Sequence, residues 1–361
     1  MKNSFGNAIN ITLFGESHGA GVGVLIDGIA PGIKINEDFI AHQLTLRRPS
    51  GKISTARREP DEYVIQSGVY NGYTTGAPLC IFIPNTDTRS RDYTPELPRP
   101  SHADLTAHEK YHGFEDYRGG GHFSGRLTAA LVAAGAIVIP ALREKGIYIG
   151  TCINRIDHIG LSDIPTDREG LLAVAESDYG LTDDYAVAMM KDTIELAASE
   201  GDSVGGVLET AIIGLPAGLG EPWFDGVESQ IASAVFGIPA VKSVAFGAKD
   251  IETMRGSRAN DAFIVKDGKI VTATNNSGGI QGGITNGMPV IFRTAIKPTP
   301  SISQNQLTVN MQTLEETVLG VKGRHDPCIV PRARIVIDSV AALVVADMLT
   351  VRYGSDALTA K

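Results

Sequence analysis

The chain has 361 residues, 43% of them hydrophobic, which is enough to bury a substantial core, and its 41 acidic residues outnumber 32 basic ones. The resulting net charge of −9 argues against nucleic acid or an anionic membrane as a partner, because either surface would repel it. Three scattered cysteines, Cys80, Cys152 and Cys328, with no Cys-x-x-Cys, read as small buried hydrophobes in a reducing compartment.

No basic-then-apolar signal pattern opens the chain, so a soluble cytoplasmic protein is expected. Gly15-Glu16-Ser17-His18-Gly19 fits the G-x-S-x-G nucleophile elbow. That elbow needs a helix after it and sheet strands upstream of it. Only fourteen residues precede Gly15, and a Gly- and Val-rich strand follows. Asn36 can cap a helix with Glu37 and Asp38 in its first turn, Ile40 and Leu44 on one face, and a stop at Pro49. Arg47 and Arg48 then fall at its C-terminal end, where the helix dipole favours cations.

Residues 63–70 and 78–83 read as strands, and Asn71-Gly72 between them is a hairpin signal. His102 begins a helix after Pro100-Ser101. His108-Glu109-Lys110-Tyr111-His112 matches the zinc pattern H-E-x-x-H, but Lys110 charges a helix that is normally buried and Gly113 ends it at once, so no metal is expected. The apolar stretches 128–142 and 335–349 are too short to span a bilayer and read as buried helices. A further helix covers 183–200 and stops at Gly201. Asp225 with Glu228 resembles a capping box before Val227, Ile231 and Val235. Strands are expected at 207–213, 241–246 and 289–296.

One internal echo stands out. Residues 15–32 and 201–218 share, in ungapped register, Gly15/Gly201, Ser17/Ser203, Gly19/Gly205, Gly28/Gly214 and Gly32/Gly218. In a chain with 41 glycines chance is a serious alternative, but a duplication is the preferred reading. His18 then lies opposite Val204, which suggests a chemical rather than an architectural role for the ring.

Two groups of residues could carry chemistry. Arg47, Arg48, Lys52, Arg57 and Arg58 lie within twelve residues with no acid among them, and Arg89, Arg91 and Arg99 follow. Arginine suits carboxylate or phosphate because its planar fork makes two hydrogen bonds at once. The plainer alternative is a solvated patch offset by Glu59, Asp61 and Glu62. The second group is histidine: His18, His102 and His325, any of which could protonate a leaving group near neutrality. A small polyanion bearing phosphate is the expected ligand.

Taken together, the segments resemble the chorismate synthase family from end to end. The resemblance rests on Phe14-Gly15-Glu16-Ser17-His18-Gly19, Arg47-Arg48-Pro49, Arg57-Arg58-Glu59-Pro60-Asp61, Thr74-Thr75-Gly76, Asn85-Thr86-Asp87, Arg99-Pro100-Ser101-His102-Ala103-Asp104 and Tyr117-Arg118-Gly119-Gly120-Gly121. The second half adds Gly201-Asp202-Ser203, Pro216-Ala217-Gly218-Leu219-Gly220, Gly278-Gly279-Ile280-Gln281-Gly282-Gly283, Lys297-Pro298-Thr299 and Gly323-Arg324-His325-Asp326-Pro327.

That resemblance implies a single domain over 1–361 of the α+β class, a β-α-β sandwich with helices packed between two antiparallel sheets and pseudo-duplicated halves. It implies the anti-1,4-elimination of phosphate from 5-enolpyruvylshikimate 3-phosphate to give chorismate, with reduced FMN required although the reaction is redox-neutral. It casts His18 as the acid that protonates the departing phosphate, His102 as the group that protonates reduced flavin, and Asp326 as a helper in removing the ring hydrogen. Arg48, Arg57, Arg99, Arg126 and Arg324 would clamp the substrate's anions. Ser124, Ala240, Gly282, Lys297, Pro298, Thr299, Pro300, Ser301 and Arg324 would contact FMN, and Arg47 matches a position associated with the nicotinamide cofactor NADP. The resemblance further implies a homotetramer in the shikimate pathway, with the flavin reduced by an external partner.

This chain departs from the family pattern in two places. The family's Arg-Ser-Ser-Ala-Arg-Glu-Thr run stands here as His122-Phe123-Ser124-Gly125-Arg126-Leu127-Thr128, and an expected asparagine is Pro239. Ser124 and Arg126 are kept, and His122 stands where the family has a cation.

Overall fold

Two five-stranded antiparallel sheets enclose a layer of helices in the computed structural model, which describes residues 2–49, 53–54, 59–87, 94–321 and 326–359. The first half supplies β1 (Ser4–Phe5), β2 (Asn10–Gly15), β3 (Gly21–Asp27), α1 (Glu37–Arg47), β4 (Val64–Ser67), β5 (Leu79–Pro84), α2 (Asp104–Tyr111) and α3 (Thr128–Glu144). The second supplies β6 (Tyr148–Ile156), β7 (Ile159–Gly160), α4 (Arg168–Glu176), α5 (Asp184–Ser199), β8 (Gly206–Ile213), α6 (Val227–Phe236), β9 (Val241–Phe246), β10 (Val290–Ile296) and α7 (Val330–Tyr353). The strand orders are β1-β2-β3-β5-β4 and β9-β10-β8-β6-β7. Helix α3 packs on β3 and β5, α7 packs on β6 and β8, and the two helices pack on each other, so the expected α+β sandwich is what forms.

Each layer follows from its pattern. β5 buries Leu79, Ile81 and Ile83 and turns the alternate residues outward, the period of a strand with one covered face. Helices α3 and α7 are apolar nearly all round because neighbours cover both sides. The stretch Gly125–Glu144 is long and apolar enough to cross a membrane, yet here it is a core helix. Asn36 caps α1 by accepting Phe39 N–H at 3.0 Å, and Asp183 caps α5 through Tyr185 and Ala186.

Several expectations shift. Gly68 breaks the 63–70 strand, whose second part, Val69–Tyr70, pairs with Tyr73–Thr74 across Asn71-Gly72. The helix after Ser101 starts at Asp104 rather than at His102. Asp225 is not a cap. It ends a short 3-10 turn, and α6 starts after Gly226 with no side-chain cap. The end of α6 is satisfied from a distance instead, by Val227 N–H donating to the Gly283 carbonyl at 2.9 Å.

The echo is structural. In the first half the Thr74 hydroxyl accepts from Ile33 N–H at 2.9 Å and donates to the Ala30 carbonyl at 2.7 Å. In the second, the Thr285 hydroxyl accepts from Leu219 N–H at 2.9 Å and donates to the Pro216 carbonyl at 2.7 Å. Ala30/Pro216 and Ile33/Leu219 obey the register read from the glycines, so two copies of one hydrogen-bonded corner close the two sheets. The Gly282-Gly283 turn is thereby the counterpart of the Asn71-Gly72 turn.

One core acid carries a pH prediction. Burial pushes the Asp338 carboxyl up to about 6, against the opposing pull of the Thr151 hydroxyl, Arg334 and Arg143. The folded state therefore holds this proton more tightly than the unfolded chain. The stability it contributes is full below the ordinary carboxylate pKa and is lost as pH rises through about 6. Asp338→Asn keeps an acceptor for Thr151, 2.6 Å away, and has no proton to lose. Its stability relative to the parent chain should improve between pH 4 and pH 8 by on the order of 2 kcal/mol. Parallel denaturation curves across that range would contradict this.

Candidate active site

A loop of three consecutive glycines organises the site. Gly119, Gly120 and Gly121 all have positive φ, a path that side-chain-bearing residues follow only under strain. A Cβ at Gly119 would lie 2.6 Å from the His18 ring, and one at Gly120 would lie 3.2 Å from the His102 ring. The missing side chains are therefore what let two histidines from distant stretches close on adjacent residues of one loop. The loop is stitched to the end of β2 by Ser17 N–H donating to the Gly121 carbonyl at 3.1 Å and by His122 Nδ1, 2.8 Å from the Gly15 carbonyl. The Asn85 amide donates to the carbonyls of Glu16 at 2.9 Å and Gly19 at 3.0 Å, fixing the His18 turn from the far side.

His102 is oriented by a carboxylate. Its Nδ1 lies 2.6 Å from Asp104 Oδ1, and Arg99 grips the same carboxylate through Nε and Nη2, both at 2.8 Å. Burial alone would raise the Asp104 carboxyl, but the bonds to Arg99 and His102 outweigh it and hold the group well below the usual range. An ionised acceptor at 2.6 Å requires the ring proton on Nδ1. The nearby Arg99 Nη2 is then a second donor rather than a partner, and Nε2 is the nitrogen left to exchange a proton. Arg99 also reaches Ser301 Oγ at 3.3 Å, tying this cluster to the second half of the chain.

His102 and His122 stand on the shared wall of two adjoining cavities. One, of about 830 Å³, gathers Arg47, Ser124, Ala240, Lys297, Thr299, Pro300, Ser301 and Asp326 with His102. Among the described residues five cations line it, Lys2, Arg47, Lys242, Lys297 and Arg332, against one carboxylate, Asp326. The other, of about 860 Å³, holds Arg99 and is rich in acids, including Glu16, Glu96, Glu115 and Asp116. A polyanion is thus favoured by the first and disfavoured by the second.

The first cavity fits a flavin phosphate on its own chemistry. Thr299 Oγ1 is buried with no hydrogen-bond partner among the described residues. Ala240 takes a left-handed backbone, φ 72°, beside it on the wall. Lys297 donates to the Ser101 carbonyl at 2.6 Å, and burial and then Lys242 lower its pKa. Leu131, Ile329 and Val336 supply apolar wall for a flat ring.

Other expected residues lie elsewhere. His18 is half-buried against Gly119 but does not line either cavity. Arg48 borders a crevice shared with Arg332. Arg126 is buried, its guanidinium bound to Asp61, the Asn85 amide oxygen and the Pro84 carbonyl. Gly282 sits at the N-terminal end of α6, a ten-residue helix whose C-terminal end borders the cavity, so about 15 Å of helix separates them. Pro298 stands between two lining residues without lining the cavity itself. Arg57, Arg324 and His325 lie outside the described residues.

Ser17 is fully buried, with a strand before it and β3 rather than a helix after it. His112 has left the helix, at φ 58°, while His108 pairs with Glu115 at 3.2 Å, so the H-E-x-x-H histidines do not share a helical face.

The residues that orient the site were not singled out from sequence as candidates. Asp61, Asn85 and Asp104 stand inside segments noted for their resemblance; Asp61 and Asn85 have remote partners, whereas those of Asp104, His102 and Arg99, lie two and five residues away. The available signal was an acid or amide within an otherwise basic or histidine-bearing run.

The model of one family, described as chorismate synthase, matches residues 9–350. The chain is similar to the chorismate synthase of Pyrococcus abyssi, 46% identical over 350 residues that cover 96% of this chain and 97% of that protein. It is similar to that of Chitinophaga pinensis, 45% identical over 357 residues, 98% of each. A solved structure described as the crystal structure of chorismate synthase superposes with a TM-score of 0.77 at 29% identity, over 98% of this chain and 94% of that one.

Proposed function

The chain belongs to the chorismate synthase family, and on that premise we propose that it is a lyase converting 5-enolpyruvylshikimate 3-phosphate to chorismate with reduced FMN. What carries the reading is the cavity where His102, Asp326 and Lys297–Ser301 meet among five cations. The substrate bears two carboxylates and a phosphate, and such a trianion needs a cationic wall of this kind.

The reaction breaks a ring C–O bond, releasing phosphate, and a ring C–H bond, leaving a new double bond with no net oxidation. Reduced FMN, when bound, would supply an electron that eases loss of the phosphate, with no net redox change. Lys297, the Thr299 hydroxyl and the Ala240 backbone would hold its phosphate end. His102 would exchange a proton with the cofactor through Nε2, its Nδ1 being held by Asp104. Asp326, paired with Arg332, assists removal of the ring hydrogen. His18 supplies the proton to the departing phosphate. Arg48, Arg57, Arg99, Arg126 and Arg324 provide the anion-binding field, Arg126 from a buried position. Arg47 is 4% exposed and lies on the cavity wall, so its charge bears on the ligands of that cavity rather than on a surface-bound dinucleotide.

A single domain over 1–361 suits two sheets that share one helical layer. A homotetramer suits the Phe263–Lys266 and Lys269–Thr272 hairpin, where Phe263, Val265 and Ile270 are 69%, 75% and 74% exposed on two strands too few to stand alone in water. The protein is placed in the cytoplasm, in aromatic amino-acid biosynthesis, with an external flavin reductant.

The deciding experiment is anaerobic incubation with reduced FMN and the phosphorylated substrate. Phosphate and chorismate should appear in equal amounts, and omission of reduced FMN should stop both. No phosphate above background would defeat the lyase reading, and a light-scattering mass below four chains would defeat the tetramer.

A further inference from the structure

Glu59-Pro60-Asp61 is a turn pinned by both of its acids. Glu59 accepts from Thr86 N–H at 3.0 Å, the Thr86 hydroxyl at 2.7 Å and Asp87 N–H at 3.2 Å. Asp61, in a left-handed backbone at φ 52° and with its side chain wholly buried, faces three arginines. Arg47 Nη2 reaches one of its oxygens at 2.8 Å, Arg126 Nη1 binds the other, and Arg48 Nε stands 3.7 Å away. Three positive charges against one negative leave the cluster net cationic.

The three arginines are not equivalent. The side chains of Arg47 and Arg126 are 5% and 2% exposed. Arg126 spends its other donors on Asn85 and Pro84, and Arg47 reaches the Thr128 hydroxyl at 3.4 Å. Arg48 is 34% exposed, although its Nε, like that of Arg47, is buried without a hydrogen-bond partner among the described residues, and it is this Nε side that faces Asp61. Arg48 borders the crevice it shares with Arg332, which itself lines the cationic cavity.

We propose that Asp61 is a positioning residue for substrate binding: it braces the buried Arg47 and Arg126 and holds Arg48 from its Nε side, so that the partly exposed remainder of that side chain is aimed at an incoming carboxylate or phosphate. The proposal rests on the lyase reading and adds a residue to it. The opposite role would make Asp61 a stand-in for the substrate's anion, displaced on binding. A fully buried carboxylate on a turn anchored by Glu59 has no path to swing away. The two roles also predict opposite signs, since removing a stand-in would tighten substrate binding. Burial alone would raise the Asp61 carboxyl, but Arg47 and Arg126 outweigh it and keep the group ionised.

The test is a double-mutant cycle on the full chain with reduced FMN, using Arg48→Gln, Asp61→Asn and their combination. Each single change should raise the substrate KM about tenfold, the scale of one charge-assisted bond, with a smaller change in kcat. The double variant should be no worse than Arg48→Gln alone, because Asp61 acts through Arg48. An unchanged or lowered KM in Asp61→Asn, or multiplied effects in the double variant, would overturn the proposal. If Asp61→Asn fails to fold, Asp61→Glu keeps the charge, displaces the carboxylate and runs the same cycle with the same criteria. Turnover by the parent chain is the control: its absence would sink the lyase reading alone, and the same cycle, read from the Kd for the phosphorylated substrate with the same criteria, would still decide the role of Asp61.

Discussion

His102→Ala is expected to lower turnover by about a hundredfold or more, the usual scale for loss of a positioned acid or base. FMN affinity should change far less, because the cavity's cations and the Lys297–Ser301 wall are untouched. The geometry also predicts a graded partner effect. Asp104 takes the Nδ1 proton of His102 at 2.6 Å and both forks of Arg99. In Asp104→Asn one oxygen remains for the competing donors of His102 and Arg99, so the ring loses its fixed tautomer and Arg99 loses its grip. Turnover should fall about tenfold or more, in the same step that His102→Ala slows. Asp104 has a depressed folded-state pKa, so the stability it contributes is present above the ordinary carboxylate pKa and is lost only in strong acid. Any pH dependence of the rate near neutrality is therefore not that of Asp104, and it should persist in Asp104→Asn. Near-normal turnover in His102→Ala would remove the ring from the chemistry.

What could be read from the sequence was local. Asn36 and Asp183 cap helices through their own next residues, so composition and spacing sufficed for α1 and α5. Strands with one covered face showed their period, as β10 does in alternating from Val290 to Ile296. The failed capping box at Asp225 marks the limit. The first N–H of α6, that of Val227, is met by the Gly283 carbonyl, more than fifty residues on, and nothing near Asp225 announces that. Helix α4 escaped because its buried face is only Leu171, Val174 and Ala175.

The site divides in the same way. His18, His102 and the glycine cluster were visible as residue types. That Gly119 serves His18 while Gly120 serves His102 emerges only when β2 and the 117–124 loop are joined. The basic run was visible, and its sorting around Asp61 into two buried arginines and one partly exposed was not, because Arg126 arrives from sixty-five residues away. The duplicated corner went the other way. The glycine register of the two halves was legible, and the threonines that close each corner, Thr74 and Thr285, confirm it without having been sought.

The contact between His18 and Gly119 gives the second large effect, because it can be broken from either side. His18→Ala removes the ring and should cost about a hundredfold or more in phosphate release. Gly119→Ala keeps the ring and moves it. The added Cβ would lie 2.6 Å from both Cδ2 and Nε2 of His18 and 2.9 Å from the Ser17 hydroxyl, closer than real contacts allow. Gly119 also has φ 62°, so the substitution strains the backbone. The ring is half-buried and can give way outward, whereas the loop is tied to β2 through Gly121 and His122 and cannot. Gly119→Ala should therefore fold, bind oxidised FMN at close to the parent affinity, and lose at least tenfold in phosphate release through His18 alone. Combining the two changes should cost no more than His18→Ala by itself, since the ring displaced by one is absent in the other. If Gly119→Ala turned over normally, the position of the His18 ring would not matter to the reaction, and its role as the acid for the departing phosphate would fall with it.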